Sequence, residues 1–413
     1  MKNMFTRALA LTAIVAAGAT AVPAQTIGNE SYPQLDGSLL DFNLRSPGQK
    51  IRIGGYLQTD GYYEKTKGND GEYGFNVEHA MFSVQGDFSK QKLGFFLQAD
   101  FTESNPLMDA WVSYSPWKVF KITAGQKQTF TNTRQMMMLD QGLAFGERTL
   151  LNQDFCRSGR ELGLYLESRL PAGKTGFDLG VAVTSGDGRN SFGASSTDPD
   201  GGGLKYGGRV SFYPLGFFTP GNELVFNDFV REKTPKLAIG AAISYNDGTS
   251  NAVGEGHNDF TMYDREGKVT LPDYRKYSAD ILFKYNGFSF LAEYTKASAC
   301  GLEHLYTEQS VNSRLRPGQI ADYLALGQGF DLQAGYVFSS LWALDASYSY
   351  VKPEFDRRAS VLKKTDNFML GVSKYFNKNS LKIQLAGGYT DYSDMEGDGS
   401  NELRAMLNVH LIF

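Results

Sequence analysis

The sequence predicts an all-β fold, a transmembrane antiparallel β-barrel of about sixteen strands. Three observations predict it. First, the chain ends on Glu402 to Phe413, where Leu403, Ala405, Leu407, Val409, Leu411 and Phe413 alternate with polar Glu402, Arg404, Asn408 and His410. That is a period-2 strand with one apolar face and one wet face, closed by an aromatic residue. A barrel can end this way because its outer face meets lipid and its last aromatic ring sits at the interface. Second, fifteen earlier segments alternate in the same manner. Third, the connections between them alternate short and long, as barrel turns and barrel loops do.

The elements follow in order. Residues 1–24 read as a signal peptide, with Lys2 and Arg7 as the positive region, Ala8 to Ala21 as the apolar region and Val22-Pro23-Ala24 as the cleavage site. Lys2 and Arg7 are its only charges, so its loss takes the formal net charge from -4 to -6. Residues 25–50 read as a short periplasmic leader and 51–413 as the barrel. The apolar faces span 51–57, 80–88, 93–101, 108–114, 120–124, 162–166, 177–183, 204–212, 237–245, 277–285, 288–294, 330–338, 342–350, 368–376, 381–389 and the C-terminal strand. Aromatic residues bracket several faces, as in Phe330 to Phe338 and Tyr277 to Tyr285. Such girdles mark the two water–lipid boundaries. Long polar links such as 64–74, 126–159, 246–275 and 296–329 alternate with short ones such as 89–91, 171–173 and 377–379. Two links break the parity: 215–235 is long where a short turn is due, and 103–107 is short where a loop is due. No other stretch reaches the roughly 18 apolar residues a membrane helix needs. A secreted β-sandwich or propeller also has short alternating strands, but it tolerates irregular link lengths, whereas these stay nearly in phase.

Sixteen strands enclose a lumen too wide for side chains to fill, which predicts an aqueous channel. The pleat turns Arg52, Lys92, Lys121, Arg169 and Arg209 inward, together with Asp87, Asp100, Asp109, Glu161 and Glu167. Charges facing lipid are costly, so their shared phase fits a wet interior. The link 126–159 carries Phe130, Met136, Met137, Met138, Leu139, Leu143, Phe145, Leu150, Leu151 and Phe155. So much apolar surface must pack on something. The inner wall is the available surface, which would place Lys127, Arg134, Arg148, Arg157 and Arg160 at a constriction, where fixed charge is focused. The competing reading is an ordered surface loop packed on itself or on a neighbouring subunit.

Other chemistries find little support. The four histidines, His79, His257, His304 and His410, have no metal-ligand spacing, so no metal or cofactor is expected. No motif marks a catalytic residue, and Asp200-Gly201-Gly202-Gly203 is turn chemistry, not a phosphate cradle. Cys156 and Cys300 leave both a disulfide and two separate thiols open. Mild acidity argues against a nucleic-acid partner.

Several short motifs in a fixed order carry a resemblance. They are Ile53-Gly54-Gly55-Tyr56-Leu57-Gln58, Leu107-Met108-Asp109-Ala110-Trp111-Val112, Ala124-Gly125-Gln126-Lys127, Phe145-Gly146-Glu147-Arg148 and Gly159-Arg160-Glu161-Leu162-Gly163. With these the chain resembles the phosphate-selective porin O and P family of Gram-negative bacteria. The resemblance implies a sixteen-stranded outer-membrane porin, usually a homotrimer in outer-membrane lipid, with the loop after the fifth strand in the lumen. It also implies passage of small anions, phosphate among them. The sequence departs from the heavily cationic lumen of the founding members, because its inward acids largely balance its inward bases.

The expected function is therefore passive diffusion of small hydrophilic solutes through an outer-membrane channel, biased to anions and without enzymatic turnover. A general or oligosaccharide channel, with Tyr56, Trp111 and Tyr165 stacking sugars, is the alternative within transport. A non-conducting barrel that binds partners through its loops is the alternative outside it.

Overall fold

The computed structural model describes residues 40–43 and 49–413, apart from 89, 91, 192–201, 258, 377–379 and 394–399. The expected signal peptide, most of the expected leader and Asp200-Gly201 lie outside the described residues. The strands are β1 (Leu40–Asn43), β2 (Gln49–Thr66), β3 (Glu72–Phe88), β4 (Leu93–Asp100), β5 (Leu107–Trp117), β6 (Phe120–Gln128), β7 (Arg160–Ala172), β8 (Thr175–Thr184) and β9 (Lys205–Tyr213). They continue as β10 (Lys236–Asn246), β11 (Asp273–Tyr285), β12 (Phe288–Cys300), β13 (Gly327–Val337), β14 (Trp342–Pro353), β15 (Lys364–Phe376), β16 (Leu381–Ser393) and β17 (Ser400–Ile412).

Strands β2 to β17 each pair antiparallel with the next, and β17 pairs back onto β2, from Glu402 opposite Thr66 to Ile412 opposite Tyr56. The result is a closed sixteen-strand barrel with almost no helix. Closure satisfies the backbone groups that an open edge would leave bare in lipid. The chain end completes the seam, since Gly55 N–H donates to Phe413 O at 2.6 Å and Phe413 N–H returns a bond to Gly55 O at 3.1 Å. Below that point β1 takes over as the partner of β2, with Leu40 opposite Ile53 and Asn43 opposite Lys50. Part of the expected leader is therefore sheet.

Alternation decides which side each residue faces. Along β17, Leu403, Leu407, Val409 and Leu411 are exposed, whereas Met406, Asn408 and His410 are buried. The same apolar exposure runs through Phe82, Leu97, Val112, Ile243, Ile281, Leu344, Leu370 and Leu385. This outer surface suits acyl chains, and the buried polar set suits a wet lumen. All sixteen predicted segments are strands. Strands β2 and β3 run further than expected, because Tyr62, Tyr63 and Glu64 pair with Gly74, Tyr73 and Glu72. Glycine and charge in that stretch mask a regular ladder, and the true link is only 67–71. No helix of the described residues is long and apolar enough to cross a membrane.

Candidate functional site

Two segments occupy the space inside the ring. The first, 129–159, leaves β6 and returns as β7, and carries the short helix α1 (Leu150–Phe155). On one side Arg134 Nε donates to Asp280 of β11 at 2.6 Å. The Gln135 N–H and Asn152 Nδ2 donate to Glu293 of β12 at 2.6 and 3.0 Å. On the other side Lys382 and Gln384 of β16 donate to Ala144 O at 2.9 and 2.8 Å. Gln58 of β2 donates to Gly146 O at 3.0 Å, and Arg404 of β17 pairs with Glu147 at 2.9 Å. These partners are inward side chains on well-separated strands, so the segment spans the lumen. Two inner-wall glycines leave seats for it. A Cβ on Gly180 would lie 2.7 Å from the Phe130 ring, and one on Gly371 would lie 2.9 Å from the Phe145 ring.

The second segment, 214–235, rises from the opposite end between β9 and β10. The fully buried Lys284 Nζ donates to Asn222 O at 2.6 Å and Val225 O at 2.7 Å. Asp228 accepts from the Gly287 N–H at 2.8 Å, and Asn227 Nδ2 donates to the Tyr375 hydroxyl at 3.1 Å. The two segments meet, since Phe226 N–H donates to Gly142 O at 2.7 Å. Met138, Leu143 and Phe145 of the first pack with Phe218 and Phe226 of the second in one apolar cluster. Burying this surface inside a hydrated barrel is favourable for the same reason as in any core. Sequence reasoning noted the excess length of 215–235 but not its inward path. The signal was the run of Phe217, Phe218, Leu224, Val225, Phe226 and Phe229 in a link that should have been polar.

Each predicted cation has a definite place. Lys127 lies 2.9 Å from Glu167, and Lys121 reaches the same carboxylate at 3.5 Å. Arg134 and Arg209 share Asp280. Arg148 pairs with Asp140 at 2.5 Å and donates to Met138 O at 2.9 Å. Arg160 pairs with Asp109 at 2.8 Å and lies 3.7 Å from Asp140. Burial alone would raise the Asp140 carboxyl, but Arg148 and Arg160 outweigh it and hold it well below the usual carboxylate range. Arg169 pairs with Asp178 and Glu223 at 2.8 and 3.1 Å. Arg52 is buried in the inner wall of β2.

Two residues depart from the expected pattern. Arg157 stands 72% exposed at the long-link end, 3.9 Å from Asp259. Lys92 is not on the lumen wall: it adopts a left-handed turn before β4, is exposed, and donates to Pro116 O in the next turn. It lies one residue before β4, where the left-handed turn takes it out of the pleat. The predicted cations are thus spread over the wall, mostly in ion pairs, instead of forming one ring. Both cysteines are free thiols. Buried Cys156 donates to Glu255 at 2.9 Å, and Cys300 lies at the end of β12.

Among solved structures the chain is similar to an anion-selective porin from Comamonas acidovorans, at 13% identity and a TM-score of 0.55, over 88% of this chain and 100% of that one. It is similar to OmpF of Salmonella typhi, in a complex with daunomycin, at 15% identity and a TM-score of 0.55, over 91% and 100%. The outer membrane channel DcaP of Acinetobacter baumannii gives 10% identity and a TM-score of 0.52, over 91% and 100%. The chain has the fold of outer-membrane porins. That fold, with its lipid-suited exterior and closed sheet, belongs to the outer membrane of Gram-negative bacteria. No family model matches the chain. No curated protein matches it either.

Proposed function

We propose that this porin-fold barrel is a passive diffusion channel for small hydrophilic solutes. The observation that carries the reading is a closed sixteen-strand barrel whose lumen is lined by charged and amide side chains and narrowed by two inserted segments. Solutes move down their gradient through such a passage, and its side chains set size and charge preference. Paired charges on the wall support weak selectivity, because a carboxylate beside each base cancels much of the field that would attract anions.

A bias to anions such as phosphate, as in the phosphate-selective porin O and P family, is the second reading. Two clusters favour it: Lys121 and Lys127 share the one carboxylate of Glu167, and Arg134 and Arg209 share that of Asp280. Each leaves one positive charge in excess. One structural neighbour is itself described as anion-selective. Reversal potentials of the mature protein in a planar bilayer under a KCl gradient test both readings. The anion reading expects a preference for chloride that falls when Lys121 and Arg209 become Gln, and indifference to those changes rejects it. Absence of any conductance rejects the channel.

The barrel is further proposed to work as a homotrimer in outer-membrane lipid. Strand β3 runs past the end of β4, so residues 72–79 have no β4 partner, and Tyr73 and Phe75 there are 85% and 93% exposed. A neighbouring OmpT of Vibrio cholerae is described in a trimer form, at a TM-score of 0.50. Mass measurement in detergent decides the oligomer.

A further inference from the structure

We infer that the outward face of β11 to β14, at its long-link end, is a docking surface for a phosphorylated glycolipid of the outer leaflet. The inference concerns the barrel exterior and goes beyond the channel reading. Arg275, Lys296 and Lys352 are exposed and share the pleat phase of Ile281, Tyr294 and Leu344, so they point away from the lumen. The register sets them side by side. Lys296 lies opposite Tyr277 on one flank and Gln328 on the other, and Gln328 lies opposite Lys352. Lys296 and Lys352 are thus two strands apart, about 10 Å, with an amide side chain between them. Arg275 stands one pleat repeat beyond Tyr277 and lies 5.6 Å from the centre of the Tyr245 ring. One repeat toward the midplane, Tyr294, Phe330 and Tyr350 lie side by side as the ring belt of a water–lipid boundary. Further in come Ile281, Leu332 and Leu344, which suit acyl chains.

Interfacial lysines are ordinary where they only stretch toward water. Three observations set this group apart. The cations occupy one end only: at the short-turn end the same strands present Tyr285, Phe288, Tyr336 and Trp342, with no outward base among the described residues. The three bases have no carboxylate partner among the described residues, unlike the lumen bases Arg134, Arg160 and Arg209. Asp273, on the same outward face, accepts from the Tyr245 hydroxyl at 2.6 Å instead. Finally, the face runs on into a cleft of about 760 Å³, where Arg314 and Arg316 join Leu302, Leu315 and Pro317, with Glu303 as the one acid. Cys300 lines that cleft and lies about 13 Å beyond Lys296 on the same pleat face of β12. Long links face the cell exterior in outer-membrane barrels. Bases above a ring belt and an apolar wall match a lipid whose phosphates sit at headgroup level and whose chains run down that wall. A free anion inside the lumen would meet none of them.

Native mass spectrometry of the full mature protein, folded in lipid-free detergent, is the test. Its probes are lipid A, dephosphorylated lipid A and inorganic phosphate. The expected result is a lipid A adduct that survives excess inorganic phosphate and binds about fivefold better than the dephosphorylated form. The triple variant Arg275→Gln, Lys296→Gln, Lys352→Gln should bind lipid A about tenfold more weakly, because each base near an anionic lipid adds to the attraction. The variant Lys90→Gln, Lys118→Gln, Lys174→Gln removes the same charge from exposed short turns and should change nothing. Should the first variant fail to form a barrel, Arg314→Gln with Arg316→Gln, on the link outside the wall, should still weaken binding about threefold. Equal binding of the two lipid forms, displacement by inorganic phosphate, or variants that bind as the wild type does overturns the inference.

Discussion

Asp280 shows how much a single side chain holds in this lumen. It is buried on β11 and takes both Arg134 of the inserted segment and Arg209 of β9. Asp280→Asn would strand two buried guanidiniums, a change that typically costs about 3–5 kcal/mol. Urea unfolding of the folded protein in detergent, followed by tryptophan fluorescence, should show that loss. Adding Arg134→Gln should recover part of it. Asp154 gives a pH-dependent case, because burial in α1 pushes its carboxyl up to about 7. The folded state then resists ionisation, so its stability falls as pH rises from about 4 through 7. Asp154→Asn should raise the melting temperature at pH 8 and leave it unchanged at pH 4. At this scale the sequence was partly legible. Alternation placed Arg209 inward, and the apolar content of the link 126–159 placed Arg134 and Arg160 inside with it. Both were blind to their partners Asp280 and Asp109, which lie on strands far away in the chain.

Among the elements, the segment 214–235 is the one the sequence disclosed least. A strand announces itself through local period-2 alternation, whereas an irregular link announces only its length and its apolar content. Its inward path depends on Lys284 of β11, which bonds two of its carbonyl oxygens. Lys284→Met should leave those acceptors bare at about 1–3 kcal/mol and loosen the segment. Single-channel recordings should then show higher and noisier conductance, and unchanged traces would contradict a constricting role. The segment 129–159 was easier to place, since ten apolar side chains in one loop demand a surface to cover. Gly180→Val should displace the Phe130 ring from its seat and lower thermal stability, with little effect on barrel assembly.

For the whole molecule, closure matters more than any one contact. Every strand from β2 to β17 has two neighbours, so no edge frays in detergent. Folded protein should keep its strand content in mild SDS at room temperature and migrate differently on a gel before and after boiling. Identical migration would argue against a closed barrel. The architecture was the most legible part of the chain, because a ring of strands repeats one simple rule sixteen times and errors at single residues do not propagate. Lys92 illustrates such a local error, one step outside β4, which left the ring unaffected.

The pairing of β17 with β2 has a consequence for biogenesis. Strand β2 finds its mate only in β17, far along the chain, so a nascent polypeptide carries two bare flanks until β17 has been exported. Partial chains have no way to shield those flanks, and premature stops near the C-terminus should yield aggregates instead of smaller pores. Cells that make this protein must therefore hold each copy apart from its siblings until β17 has arrived.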